Sequence, residues 1–170
     1  MVDQVIGIYC IVDDTLKGLG HSEDPQTVMK DSEVLTTALV AALFFGGNHQ
    51  TSRYFLMENN YFPKMLSKSR FNRRLHRIKE LLLTLFDILA ESFKSINEES
   101  IYLIDTFPIP VCDNVRIKNC KIYSQEQYRG YQASKKQYFY GLKLHLCVTA
   151  DGQPVESPKG RRSALFPHSW

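Results

Sequence analysis

Ile101-Tyr102-Leu103-Ile104-Asp105-Thr106-Phe107-Pro108-Ile109-Pro110 is the stretch on which the fold turns. Four apolar or aromatic residues run directly into an acid, and prolines stand two and four residues after Thr106. A short run rich in Ile and Tyr, closed by turn residues, predicts a strand buried on both faces and ended by the prolines. A carboxylate at the end of such a strand is costly to bury unless a metal ion, a cation or backbone donors compensate its charge. An Asp that merely caps the next turn would look the same in isolation.

Downstream, Ser134-Lys135-Lys136-Gln137-Tyr138-Phe139 leads into a strict alternation. Tyr140, Leu142, Leu144, Leu146 and Val148 fall on one face of an expected strand; Gly141, Lys143, His145, Cys147 and Thr149 fall on the other. Asp151-Gly152 then marks a hairpin turn, and Gln153-Pro154-Val155 starts a return strand. The pattern is a strand ending in Asp, a half-polar strand carrying Lys143 and His145, and a hairpin.

These residues together resemble a DDE transposase, and more narrowly the bacterial insertion-sequence 982 family. The resemblance spans Met1 to about Glu156 and is carried most specifically by the two strands just quoted. It implies a ribonuclease-H-like catalytic domain whose first strand presents the first carboxylate of a metal-binding Asp-Asp-Glu triad. By position that carboxylate, catalytic and metal-binding, is Asp105. The resemblance further implies Mg²⁺ or Mn²⁺ in the complete enzyme, and double-stranded DNA at insertion-sequence ends as the partner. The intact transposase is implied as a homo-oligomeric partner. The family's second Asp and its Glu belong to later elements, which the sequence does not supply before Trp170. One carboxylate cannot hold two divalent ions in a two-metal geometry, so this chain alone is expected not to cut DNA.

Composition agrees with a globular protein: 170 residues, 44% of them hydrophobic. No apolar run approaches the roughly 18–20 residues of a membrane span. The N-terminus has no signal-peptide pattern, so a cytoplasmic protein with no membrane partner is expected. Charge is distributed unevenly. Residues 1–66 hold four basic and eight acidic side chains, and residues 67–170 hold seventeen and ten. A basic later part suits an anionic partner, nucleic acid first among them.

The N-terminal part reads as helical. Val5, Ile8, Tyr9 and Val12 form one stripe, ended by Gly18 and Gly20. After Asp31-Ser32-Glu33, Val34 to Phe45 is apolar nearly all round, which belongs at the centre of a bundle, and Gly46-Gly47 closes it. A shorter helix over His49–Glu58 is broken by Asn59, Asn60 and Pro63. One long helix is expected from Ser67 or Ser69 to Ile96, with Phe71, Leu75, Ile78, Leu82, Leu85, Phe86, Leu89 and Phe93 as its core stripe. Its start carries Lys68, Arg70, Arg73, Arg74, Arg77 and Lys79 with no acid before Glu80. A short helix, a turn and an Arg-rich helix resemble a helix-turn-helix, with Arg70, Arg73, Arg74 and Arg77 as candidate DNA contacts. A solvated basic face is the plainer alternative.

Between the strands, Asp113 to Gln137 interleaves Arg116, Lys118, Lys121, Arg129, Lys135 and Lys136 with Tyr123, Tyr128 and Tyr131. That mixture suits phosphate contacts and base stacking, or an irregular loop whose tyrosines pack on the sheet. Lys135 and Lys136 are candidate DNA contacts, as are Lys143 and His145 near Asp105. Cys112, Cys120, His145 and Cys147 could form a zinc site, although their spacing is irregular; reduced cysteines are the alternative. Residues 157–170 have neither helical nor strand periodicity and read as an out-of-frame tail.

The fold class expected is therefore α+β. A helical DNA-binding region, helix-turn-helix-like, fills residues 1–98. The first strands of an incomplete ribonuclease-H-like domain fill 99–156. The function expected is that of a transposase fragment, with a non-catalytic DNA-binding regulator or inhibitor as the alternative and a zinc-stabilised module as a third reading.

Overall fold

The computed structural model describes residues 2–99, 101–121, 123, 125–132 and 135–156, so the tail expected at 157–170 lies outside the described residues. The chain is α+β: five α-helices precede four antiparallel strands among the described residues. It divides into two compact units, Met1–Phe86 and Asp87–Trp170, and the division falls inside a helix instead of after residue 98.

In the first unit α1 spans Val2–Gly18, α2 Asp31–Phe44, α3 His49–Glu58 and α4 Lys68–Arg77. α1 stops where the sequence says. Gly20 takes φ 66°, the His21 amide donates to Leu16 O and the Gly20 amide donates to Lys17 O. This left-handed closure satisfies carbonyls that the helix end would otherwise orphan. α2 is the central rod and touches α1, α3 and α4. Its Val34, Leu35, Val40 and Ala41 are fully buried, and Leu56 and Phe71 from α3 and α4 are buried with them. Burying each such large side chain contributes roughly 1.5–3 kcal/mol relative to leaving it in water. Asn48 caps α3 by accepting from the amides of Gln50 and Thr51.

Two expectations for this region change. The long helix is broken: Ile78 has φ −99° and ψ 15°, and α5 begins afresh at Lys79 and runs to Ile96. No Gly or Pro marks the break. Ile78 is buried, and its β-branched side chain has only a modest helical preference, so packing overrides a continuous apolar stripe. The second change is the turn between α3 and α4, which takes nine residues, Asn59 to Ser67. A helix-turn-helix uses about three or four.

In the second unit, β1 spans Tyr102–Asp113, β2 Arg129–Gln132, β3 Gln137–Thr149 and β4 Pro154–Glu156. β3 is the axis. β1 pairs along its whole length on one edge; β2 and β4 share the other edge at opposite ends. The return strand lies where Gln153-Pro154-Val155 points, after a turn closed by the Gly152 amide donating to Thr149 O, with Gly152 at φ 82°. β2 belongs to a stretch whose sequence alone reads as loop.

β1 departs from expectation twice. It continues through Pro108 and Pro110 instead of ending before them. A proline cannot donate to a ladder, but it is tolerated when its nitrogen faces away from the partner of an edge strand. β1 is also not buried on both faces: Leu103 is 55% exposed and Ile104 76%. Its pairing with β3 uses one edge, and pairing alone covers neither face.

Between Pro110 and Cys112 the register slips by a residue, a bulge that brings the β1 backbone against Gly141. A Cβ added at Gly141 would lie 2.2 Å from Ile109 O. Gly141→Ala should therefore destabilise the sheet by about 1–3 kcal/mol. Gly7→Ala in α1, where added bulk meets nothing within 4 Å, should be neutral or stabilising by about 0.5–1 kcal/mol. Urea unfolding followed by circular dichroism compares the two.

Candidate functional site

The basic helix α4 presents two kinds of arginine. Arg70, Arg73 and Arg77 are exposed and recur at steps of three and four, which puts them along one side of the helix. Arg74 follows Phe71 by three residues and so falls on the core side. Its Nε donates to Asp31 Oδ1 at 2.6 Å, and its NH2 lies 3.5 Å from Glu23 Oε2. The Glu23 carboxylate also accepts from the Asp31 amide at 2.8 Å, and His21 Nε2 lies 3.0 Å from Asp31 Oδ2. The Arg74 and Asp31 side chains keep only 21% and 5% exposure.

Arg74 thus differs in setting from the other three candidate DNA contacts. Arg74 is held inside the first unit by two carboxylates, while its three neighbours face water. Nothing in the spacing of Glu23, Asp31 and Arg74 announces the cluster; only the position of Arg74 between Phe71 and Leu75 of the core stripe hints at it. His21, Glu23 and Asp31 also offer three ligand atoms within 4.8 Å of one another. The guanidinium already supplies the positive charge there, and a cation would have to displace it. The geometry is that of an ion-pair network joining α4 to the start of α2.

In the second unit Asp105 is exposed, and its Oδ1 accepts from the Thr106 amide at 2.7 Å. Register places Asp105 opposite Leu146 and Thr106 opposite His145, and Thr106 Oγ1 lies 2.8 Å from His145 Nδ1. Adjacent strand residues point to opposite faces. His145 therefore lies on the far face from Asp105, so the two do not form the joint contact surface that sequence alone suggested. Lys143 stands opposite Pro108 in the register. Lys135 and Lys136 are exposed just before β3, with Lys136 at φ 49°.

The linker is more ordered than its composition suggests. Tyr123 and Tyr128 are half-buried and meet edge-on at 5.0 Å. Glu126, for which the sequence offers no role, accepts from the Tyr140 hydroxyl at 3.0 Å and from Arg129 NH1 at 3.1 Å. Desolvation first, and the hydrogen bond to Glu126 second, hold the Tyr140 phenol above its usual range.

The proposed zinc ligands do not converge. Cys112 stands opposite Tyr140, whereas His145 and Cys147 lie five and seven residues further along β3, about 17–23 Å at strand spacing. A tetrahedral site with bonds of about 2.3 Å cannot span that distance. Among the described residues, His21, Glu23 and Asp31 are the cluster of three potential ligands. No described helix is long and apolar enough to cross a membrane.

Residues 95–157 match the family model described as Transposase DDE domain. The match takes in β1 with Asp105, the linker, β2, β3 and β4, and none of α1 to α4. No curated protein and no solved structure matches the chain. DDE chemistry as a class depends on divalent metal, yet Asp105 belongs to no cluster of three potential ligands among the described residues. A single carboxylate does not make a two-metal site.

The ion-pair network yields a test that separates structure from binding. Arg74→Ala should lower unfolding free energy by about 1–3 kcal/mol, below the full buried-pair range because Arg74 keeps some contact with water. Arg73→Ala, at an exposed position, should change stability by less than about 0.5 kcal/mol. Thermal and urea unfolding of both variants measures the difference.

Proposed function

We propose that this chain is a transposase component that binds duplex DNA through α4 and carries, at Asp105, the first carboxylate of a DDE catalytic domain. The match of residues 95–157 to the Transposase DDE domain carries the reading. Asp105 is the acid in the apolar start of β1 within that segment. The exposed row Arg70, Arg73 and Arg77 supplies the phosphate-facing surface, and Arg74 holds that helix against α2. The finer assignment is to the insertion-sequence 982 family, with insertion-sequence ends as the DNA and the intact transposase as a homo-oligomeric partner.

A second reading has its own support. Asp105 belongs to no group of three potential metal ligands among the described residues, which suits a non-catalytic DNA-binding regulator of an intact transposase. Both readings require duplex binding; only the first requires strand cleavage.

Salt dependence tests the shared step. If Arg70, Arg73 and Arg77 neutralise about three phosphates, the log–log slope of affinity against salt should be roughly −3. Arg73→Ala combined with Arg77→Ala should flatten it by about two units. A flat response in the wild type would take α4 out of the interface. Plasmid nicking in Mg²⁺ or Mn²⁺ that Asp105→Asn abolishes would favour the catalytic component; binding without nicking would favour the regulator.

A further inference from the structure

The β2–β3 hairpin carries an aromatic and basic surface that neither duplex binding by α4 nor the carboxylate at Asp105 uses. Tyr131 and Tyr138 are directly opposed in the register, their ring centroids 4.8 Å apart at 49°. They remain 49% and 47% exposed. The Arg129 guanidinium carbon lies 4.5 Å from the centroid of Tyr138, within cation–π range.

This arrangement is braced on both sides. Glu126 holds Arg129 with one carboxylate oxygen and the Tyr140 hydroxyl with the other. On the reverse face the Phe139 ring covers Gly130 so closely that a Cβ there would come within 2.7 Å of the ring. The two tyrosines therefore sit on a supported platform. Lys135 and Lys136, both exposed, lie at its β3 end. Counting Arg129, Lys135 and Lys136 against Glu126, the patch has a surplus of two positive charges.

Half-exposed tyrosine rings beside the exposed Lys135 and Lys136 match one ligand chemistry. Bases in a duplex are stacked on one another and offer only their edges, whereas an unpaired base can lay its face on an aromatic ring while its phosphates meet lysines. We propose that this hairpin binds unpaired DNA, with bases stacked on Tyr131 and Tyr138 and the backbone held by Lys135 and Lys136. The inference rests on the DNA-binding reading above and adds a second site, on the second unit, with a different preference. Because every base has a π-face, the site should tolerate any sequence.

Cross-strand tyrosines also stabilise hairpins, so the test needs a readout that a purely structural role would not move. Fluorescence anisotropy with the full chain compares a labelled oligothymidylate of about fifteen nucleotides with a duplex of the same length. Tyr131→Ala and Tyr138→Ala should each weaken oligothymidylate binding about tenfold and leave duplex binding within about twofold. Tyr131→Phe and Tyr138→Phe, which keep the ring, should bind like wild type. In the wild-type chain, photo-crosslinking through 5-iododeoxyuridine should attach at Tyr131 or Tyr138.

Unchanged oligothymidylate binding in the Ala variants, equal loss on both probes, or a crosslink mapping elsewhere would overturn the hairpin site while leaving duplex binding by α4 standing. A wild-type chain that binds neither probe would overturn the DNA-binding reading itself, and this inference with it.

Discussion

The second unit depends on the hydrogen-bonding demand of one strand. β3 is thirteen residues long, and every amide and carbonyl along it needs a partner. β1 supplies one edge from Tyr102 to Asp113, while β2 and β4 divide the other between its two ends. The placement of the chemistry-bearing residues follows from that register. It sets Asp105 opposite Leu146 and so on the reverse face from His145, and it separates Cys112 from Cys147 by most of the strand. It also brings Tyr131 against Tyr138, although six residues of sequence stand between them.

In the first unit the comparable constraint is charge compensation at the start of α2. Asp31 is nearly sequestered from water, and a carboxylate in that position is tolerable only with a partner. Arg74 reaches it from α4 and Glu23 joins from the α1–α2 connection. The network directs one basic side chain inward and leaves Arg70, Arg73 and Arg77 on the solvent side. Four arginines close together in sequence thus have two physical settings: one positions the helix and three form a solvent-facing row.

The two nucleic-acid surfaces proposed for this chain differ in kind. A row of arginines on a helix neutralises phosphates and responds strongly to salt. A braced tyrosine pair with flanking lysines adds stacking, which depends on base exposure more than on charge. A protein handling DNA strand ends has uses for both, since opening an end turns paired bases into unpaired ones.

The sequence by itself determined the local elements. Glycines and asparagines at helix ends, the apolar cylinder of α2, the alternation from Tyr140 to Thr149 and the Asp-Gly turn are short-range signals, because capping, periodicity and positive φ act within a few residues. The apolar run leading into Asp105 is a signal of the same short range. Tertiary structure alone decided the break at Ile78, the passage of β1 through two prolines and the exposure of Leu103 and Ile104. It also decided the inward turn of Arg74, the opposite faces of Asp105 and His145, and the Tyr131–Tyr138 platform. Each of these depends on which distant backbone or side chain becomes a neighbour. A residue's partner across a sheet or a helix pair is fixed by register and packing, and neither can be read from nearest neighbours in the chain.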